Sequence, residues 1–247
     1  MDRDRWTIGF DADDTLWHNE RGFALSQARF ADLLADFTRP DDLMARLLTA
    51  EKRNLEIYGF GVKGFTLSMI ETAIDVTRGA VSTDVIAELL AIGRAMLRDP
   101  VELLPGVRQA VEAVKNRADL ILITKGDLLD QERKLAQSGL GDLFDAVEIV
   151  SDKNAETYTR IFARHDTAHQ MMVGNSLRSD VIPALEAGIW GVHVPHVLTW
   201  EYEAAAPPTK HRHFRRIENL SALPALLDSI EMGANPPDIG ERANRTP

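Results

Sequence analysis

The stretch Trp6-Thr7-Ile8-Gly9-Phe10-Asp11-Ala12-Asp13-Asp14-Thr15-Leu16-Trp17 changes character in its middle. Up to Phe10 it is a short, mainly apolar run of the kind that makes a buried strand. Asp11, Asp13 and Asp14 then follow in quick succession. In an open parallel α/β sheet the ligand crevice lies beyond the carboxyl ends of the strands, so Asp11 and Asp13 are delivered to where chemistry would sit.

Outward from this stretch, the pattern from Asn19 to about Arg98 becomes helical. Apolar residues at Phe23, Leu25, Phe30, Leu33 and Leu34, at Leu43, Leu47 and Leu48, at Leu67, Ile70, Ile74 and Val76, and from Val85 to Leu97 predict about four helices and no strand. Pro40, the cluster Gly59, Gly61 and Gly64, and an N-cap at Ser82 to Asp84 punctuate them. Beyond Pro105, which opens a further helix, strand and helix alternate. Strands are expected at Leu120–Ile123, Ala146–Val150, Gln170–Val173 and Ile189–Val194, with helices between them that stop at Gly139 and Gly188, and a last helix over Leu220–Ile230. That alternation is the signature of a parallel sheet covered on both faces. The expected architecture is an α/β, Rossmann-like core from residues 1–17 and 100–232, a small all-helical module at 18–99, and a flexible tail at 233–247.

Composition limits the function. The 247 residues are 45% apolar, enough for one large core with a smaller satellite, and 28 basic against 38 acidic residues give a net charge of -10. Such a balance argues against general affinity for nucleic acid or anionic lipid, so an anionic substrate must be held by local cations. With no cysteine, thiolate metal sites and cysteine nucleophiles are excluded. No apolar run approaches the roughly 18 residues needed to span a bilayer, and the N-terminus lacks a signal-peptide pattern, so a cytoplasmic protein, monomer or homodimer, is the expectation.

The polar residues that end the successive strands are Asp11/Asp13, Thr124, Lys153 and Asn175/Asp180. They stand in D-A-D-D-T from Asp11 to Thr15, I-L-I-T-K-G-D from Ile121 to Asp127, S-D-K-N-A-E around Lys153, and V-G-N-S-L-R-S-D from Val173 to Asp180. In kind, order and spacing these motifs resemble those of the haloacid dehalogenase-like superfamily of aspartate-nucleophile hydrolases, over about residues 6 to 230, with a helical cap inserted after the first motif.

The resemblance implies a Mg2+-dependent phosphatase acting on a small phosphomonoester. Asp11 would attack phosphorus and Asp13 would serve as general acid and base. Thr124, a following backbone N–H and Lys153 would hold the phosphoryl oxygens, with Lys125 among the substrate-binding residues. Thr15 would fix the loop after the nucleophile. Mg2+ would be held by the Asp11 carboxylate, the Asp13 carbonyl oxygen and groups from Asn175 and Asp180. Asn175 stands where the family's fourth motif often has Asp, which leaves open which of Asn175 and Asp180 is the direct ligand. The physics points the same way: two carboxylates about 4 Å apart repel by about 4 kcal/mol at an effective dielectric of 20. Gathering Asp11, Asp13 and Asp180 therefore calls for Lys153 and a hard cation. The alternatives are a 2-haloacid dehalogenase, which needs no acid or base at the second aspartate, and a non-catalytic binding or regulatory protein on the same fold.

Other features have structural readings. Asp14 reads as a turn former and helix cap. The loop Gly59-Phe60-Gly61-Val62-Lys63-Gly64-Phe65 is expected to face the crevice, with Lys63 as a candidate anion contact and Arg53 as a weaker one. His193 and His196 lack a third metal ligand and are expected to be structural. The basic run Lys210 to Arg216 reads as a solvated loop and strand edge.

Overall fold

The computed structural model describes residues 5–165 and 169–233. Its strands are β1 (Trp6–Phe10), β2 (Ala118–Lys125), β3 (Ala146–Val150), β4 (His169–Gly174), β5 (Trp190–His193) and β6 (Phe214–Arg216). They form one sheet in the order β3-β2-β1-β4-β5-β6, with every pairing parallel. β1 is central, buried along its whole length, and flanked by β2 and β4. Its carboxyl end opens between two neighbours whose own ends carry Thr124 and Asn175.

The helices are α1 (Glu20–Leu33), α2 (Pro40–Tyr58), α3 (Val62–Val76), α4 (Thr83–Met96), α5 (Val107–Lys115), α6 (Leu128–Ser138), α7 (Ala155–Phe162), α8 (Ile182–Glu186) and α9 (Leu223–Glu231). On one sheet face, Ile8, Phe10, Leu120 and Met171 pack with Val111 of α5 and Leu227 of α9. On the other, Ile121, Ile123 and Met172 pack with Tyr158, Ile161 and Phe162 of α7. Gly9 lets this second layer close: a Cβ there would lie 2.8 Å from Ile123 Cδ1 and 3.0 Å from Phe162 Cζ.

Helices α1 to α4 fill the segment between the first two motifs and bury an apolar cluster of their own, including Phe30, Leu34, Leu43, Leu47, Phe65 and Met69. Pro40 stands at the start of α2, and the Ser82 side chain accepts from the Val85 N–H to cap α4. The four-helix expectation holds, but not every residue assigned to the buried stripe. Leu25 is 66% exposed, and Leu67, Ile74 and Leu90 are exposed as well, because periodicity admits a wider stripe than these short helices cover. Gly64 lies within the first turn of α3, not in the connecting loop.

Three boundaries differ. Gly106, in the left-handed conformation at φ 76°, sets the start of α5 at Val107, two residues beyond Pro105. β2 starts at Ala118 and runs to Lys125, one residue past the end expected at Thr124. The run Lys210 to Arg216 contains the edge strand β6, which pairs with β5; three residues between polar turns carry almost no periodic signal. Of the tail expected at 233–247, residues 234–247 lie outside the described residues. Among the described residues, no helix is long and apolar enough to cross a membrane.

Candidate active site

The Asp11 N–H donates to the Val173 carbonyl at 2.9 Å, carrying the β1–β4 ladder one residue past the strand. The chain then turns on Asp14, a non-glycine residue at φ 60°. The Asp14 carboxylate accepts from the N–H groups of Asn19 at 2.9 Å and Glu20 at 3.0 Å, so it caps the start of α1, as its reading as a turn former and cap requires. Trp17 is buried beneath this turn, and its indole donates to Asp13 Oδ1 at 2.7 Å.

Asp11 is held from two sides. Thr15 donates to Asp11 Oδ2 at 3.0 Å and accepts from the Asn175 N–H at 3.0 Å, tying the first motif to the last. On the other side, the Lys153 ammonium forms an ion pair with Asp11 Oδ1 and a second with Asp180 Oδ1 at 2.8 Å. Asp180 is 1% exposed and accepts from the Ser176 N–H at 2.9 Å. The π-helical turn Leu177–Val181 folds its side chain back under β4. Only glycine fits at position 174, where a Cβ would fall 2.3 Å from Asp180 Oδ2.

Electrostatics follow from this packing. Burial, then the Asp180 charge, push the Asp11 carboxyl up to about 7 against the pull of Lys153. Lys153 is also desolvated, but two carboxylates share its ammonium, and they win: its affinity for the proton rises. Asp13 is the opposite case. Burial pushes it up, yet Lys134 at 2.9 Å, Gln131 at 2.9 Å and the Trp17 indole together hold it below the usual carboxylate range.

These side chains meet a cavity lined by Asp11, Asp13, Thr124, Lys125 and Asn175 from the sheet, with Lys153 and Asp180 behind Asp11. Lys125 donates to Ser179 Oγ at 2.7 Å, ion-pairs with Glu203, and lies 3.9 Å over the Phe60 ring. Lys63 is placed elsewhere. It pairs with Asp127 at 2.8 Å and does not line the cavity, although Gly59, Phe60 and Gly61 of its loop do. Arg53 pairs with Glu71 on the surface. His193 Nε2 donates to the Asn175 carbonyl at 3.0 Å, consistent with its structural reading.

Sequence reasoning missed Gln131, Lys134 and Glu203. The first two lie three residues apart on α6 and so share one face, in the first turns after the Thr124 strand, which was a usable sign that they point back at the strand ends. Glu203 sits in a loop with no pattern to mark it. Also missed were Glu20 and Glu51, which α1 and α2 bring to the cavity.

Glu51 is 8% exposed, and burial pushes its carboxyl up to about 7, with the Trp200 indole pulling the other way. A carboxyl with a raised folded pKa binds its proton more tightly in the folded state. Its contribution is present below the unfolded value of 4.5 and is lost as pH rises to about 7. The variant Glu51→Gln cannot ionise, so it should gain about 3 kcal/mol relative to wild type on going from pH 4.5 to pH 8. Urea unfolding at the two pH values checks this; an equal difference at both would place the Glu51 carboxyl in a normal environment.

As for a metal, no cluster of three or more His, Asp or Glu side chains is disposed to hold one among the described residues. A cation at Asp11 would rest on two carboxylates, the Asn175 amide and main-chain oxygen. That sparse, all-oxygen set fits Mg2+, which keeps several waters. Charge also fits: the carboxylates of Asp11, Asp13, Asp180 and Glu203, with Asp14 and Asp130 also on the cavity, outnumber the ammonium groups of Lys125, Lys134 and Lys153, and a divalent cation would offset much of that excess for an anionic ligand.

The haloacid dehalogenase-like hydrolase family model matches residues 7–188. A haloacid dehalogenase-like family hydrolase from Xanthomonas campestris has a crystal structure with TM-score 0.83 and 40% identity, covering 94% of each chain. Pyrimidine 5'-nucleotidase YjjG of Escherichia coli is 26% identical over 194 residues, 74% of this chain and 82% of the relative. The HAD-hydrolase YfnB from Bacillus subtilis, in a structure bound to magnesium, shares the fold at TM-score 0.63 and 19% identity, over 91% of this chain and 99% of its own. With the motifs assembled at one sheet edge and the family model spanning most of the sequence, the chain belongs to the haloacid dehalogenase-like hydrolases.

Proposed function

We propose that this hydrolase is a Mg2+-dependent phosphatase that cleaves a small phosphomonoester through an aspartyl-phosphate. The observation that carries the reading is the position of Asp11: a buried carboxylate at the cavity floor, oriented by Thr15 and Lys153, with Asp13 beside it. An Asp11 oxygen attacks phosphorus as the bond to the leaving alcohol breaks, and Asp13 gives that alcohol its proton. Asp13 then takes a proton from water, whose oxygen attacks phosphorus and breaks the bond to Asp11, returning the carboxylate and releasing phosphate. Lys134 and Gln131 aim Asp13, and Lys134 favours the carboxylate that the second step needs, so the proton Asp13 passes to the alcohol in the first step is one it takes up with the ester. Thr124, Lys125 and Lys153 hold the phosphoryl oxygens, because positioning and charge stabilisation are what phosphoryl transfer mainly demands. Mg2+ held by Asp11, the Asp13 carbonyl, Asn175 and Asp180 would offset the excess of carboxylates and draw charge from the phosphoryl group. Helices α1 to α4 act as the cap that encloses the leaving group.

Asp13 and its dedicated partners weigh against the 2-haloacid dehalogenase, which has no use for an acid or base there, and against a non-catalytic scaffold. The name of the Escherichia coli relative favours nucleotides among the esters. Phosphate release from a panel of phosphomonoesters, with Mg2+ and with chelator, tests the proposal. Turnover should appear with Mg2+ and fall at least about 100-fold with chelator. Halide release from 2-haloacids with no phosphate release from any ester would overturn it.

A further inference from the structure

The half of the cavity away from Asp11 is built by α1, α2, α3 and the loop before Glu203, with Gln27 and Ser68 among its polar residues. It offers acceptors and flat apolar faces: Glu20, Glu51 and Asn54, with Phe23, Phe60 and Trp200. The only cations lining the cavity, among the described residues, are Lys125 and Lys134. Both are already paired, Lys125 with Glu203 and Lys134 with Asp13, and Lys125 reaches this half only over the Phe60 ring. Asn54 is 3% exposed, and its amide nitrogen donates to Ser68 Oγ at 3.1 Å and Glu71 at 2.9 Å. Asn54 lines the cavity, where its amide oxygen is an acceptor open to a ligand. Glu51 lines the same half and is 8% exposed.

We infer that this half of the cavity selects a planar, uncharged leaving group that carries N–H or O–H donors, as a nucleoside does, and rejects leaving groups that carry a carboxylate. The inference rests on the phosphatase reading and adds the class of ester. A donor-bearing ring stacks on the aromatic side chains and satisfies Asn54 Oδ1 and the two glutamates. A carboxylate there meets two acidic side chains and an amide oxygen, with no free ammonium to compensate its desolvation.

The test compares kcat/KM for uridine 5'-monophosphate and cytidine 5'-monophosphate with that for 3-phosphoglycerate and 2-phosphoglycolate, in wild type, Asn54→Leu and Glu51→Gln. The small ester methyl phosphate reports the phosphoryl half alone. Wild type should prefer the nucleotides by at least about 100-fold, and each variant should shrink that ratio by at least about tenfold, through KM more than kcat. Methyl phosphate hydrolysis without a nucleotide preference, or with the ratio unmoved in both folded variants, overturns this inference and leaves the phosphatase reading standing. No hydrolysis of methyl phosphate or of any other ester overturns both.

Discussion

The variant Asp11→Asn is expected to lose at least about 10^4-fold in kcat/KM for phosphate esters while keeping its fold. An amide oxygen in the same place is a poor nucleophile, and no neighbouring group can take over: Asp13 is turned to Lys134, Gln131 and Trp17, and Asp180 lies behind Lys153. Stability should not fall with activity. In wild type, burial and the Asp180 charge push Asp11 towards its neutral form, so a neutral isostere removes an unfavourable charge. Steady-state kinetics beside thermal melts separate the two effects. Retention of more than about a hundredth of wild-type activity would exclude Asp11 as the nucleophile.

Lys153→Met is the second large change, and it should damage both properties. Lys153 is 5% exposed and its ammonium is shared between Asp11 and Asp180. Removing it leaves two buried carboxylates facing each other without a cation, a change that typically costs about 3–5 kcal/mol. The phosphoryl group loses a charge that stabilises its transition state, so activity should drop by at least about 100-fold in addition. Urea unfolding in chelator, beside kinetics with Mg2+, checks both parts. A stability loss below about 1 kcal/mol would mean that the Lys153 bridge does not carry the charge balance assigned to it.

What the sequence makes legible is local. Trp6 to Phe10 reads as a buried strand because every residue is small or apolar, and the aspartates after it fall at the carboxyl end of a central strand, where such sheets place their ligand crevice. Asp14 is legible as a cap because short acidic side chains in a turn satisfy helix N–H groups. The partners that tune the site are not local. Lys134 reaches Asp13 from 121 residues away, and Glu203 reaches Lys125 from 78 away, contacts set by how α6 and the last loops pack. The same limit explains Lys63: the loop around it does face the cavity, but the start of α3 aims that one side chain at Asp127. Periodicity also could not tell which glutamates of α1 and α2 turn inward, since Glu20 and Glu51 occupy faces that polar residues share with solvent.

The most direct measurement is the identity of the phosphorylated residue during turnover. Enzyme quenched in acid within a single turnover of a hydrolysed ester, then digested and mapped by mass spectrometry, should carry a phosphoryl adduct on Asp11 and none in Asp11→Asn. An adduct on another residue, or none at any quench time while phosphate is released, would contradict the aspartyl-phosphate route at Asp11.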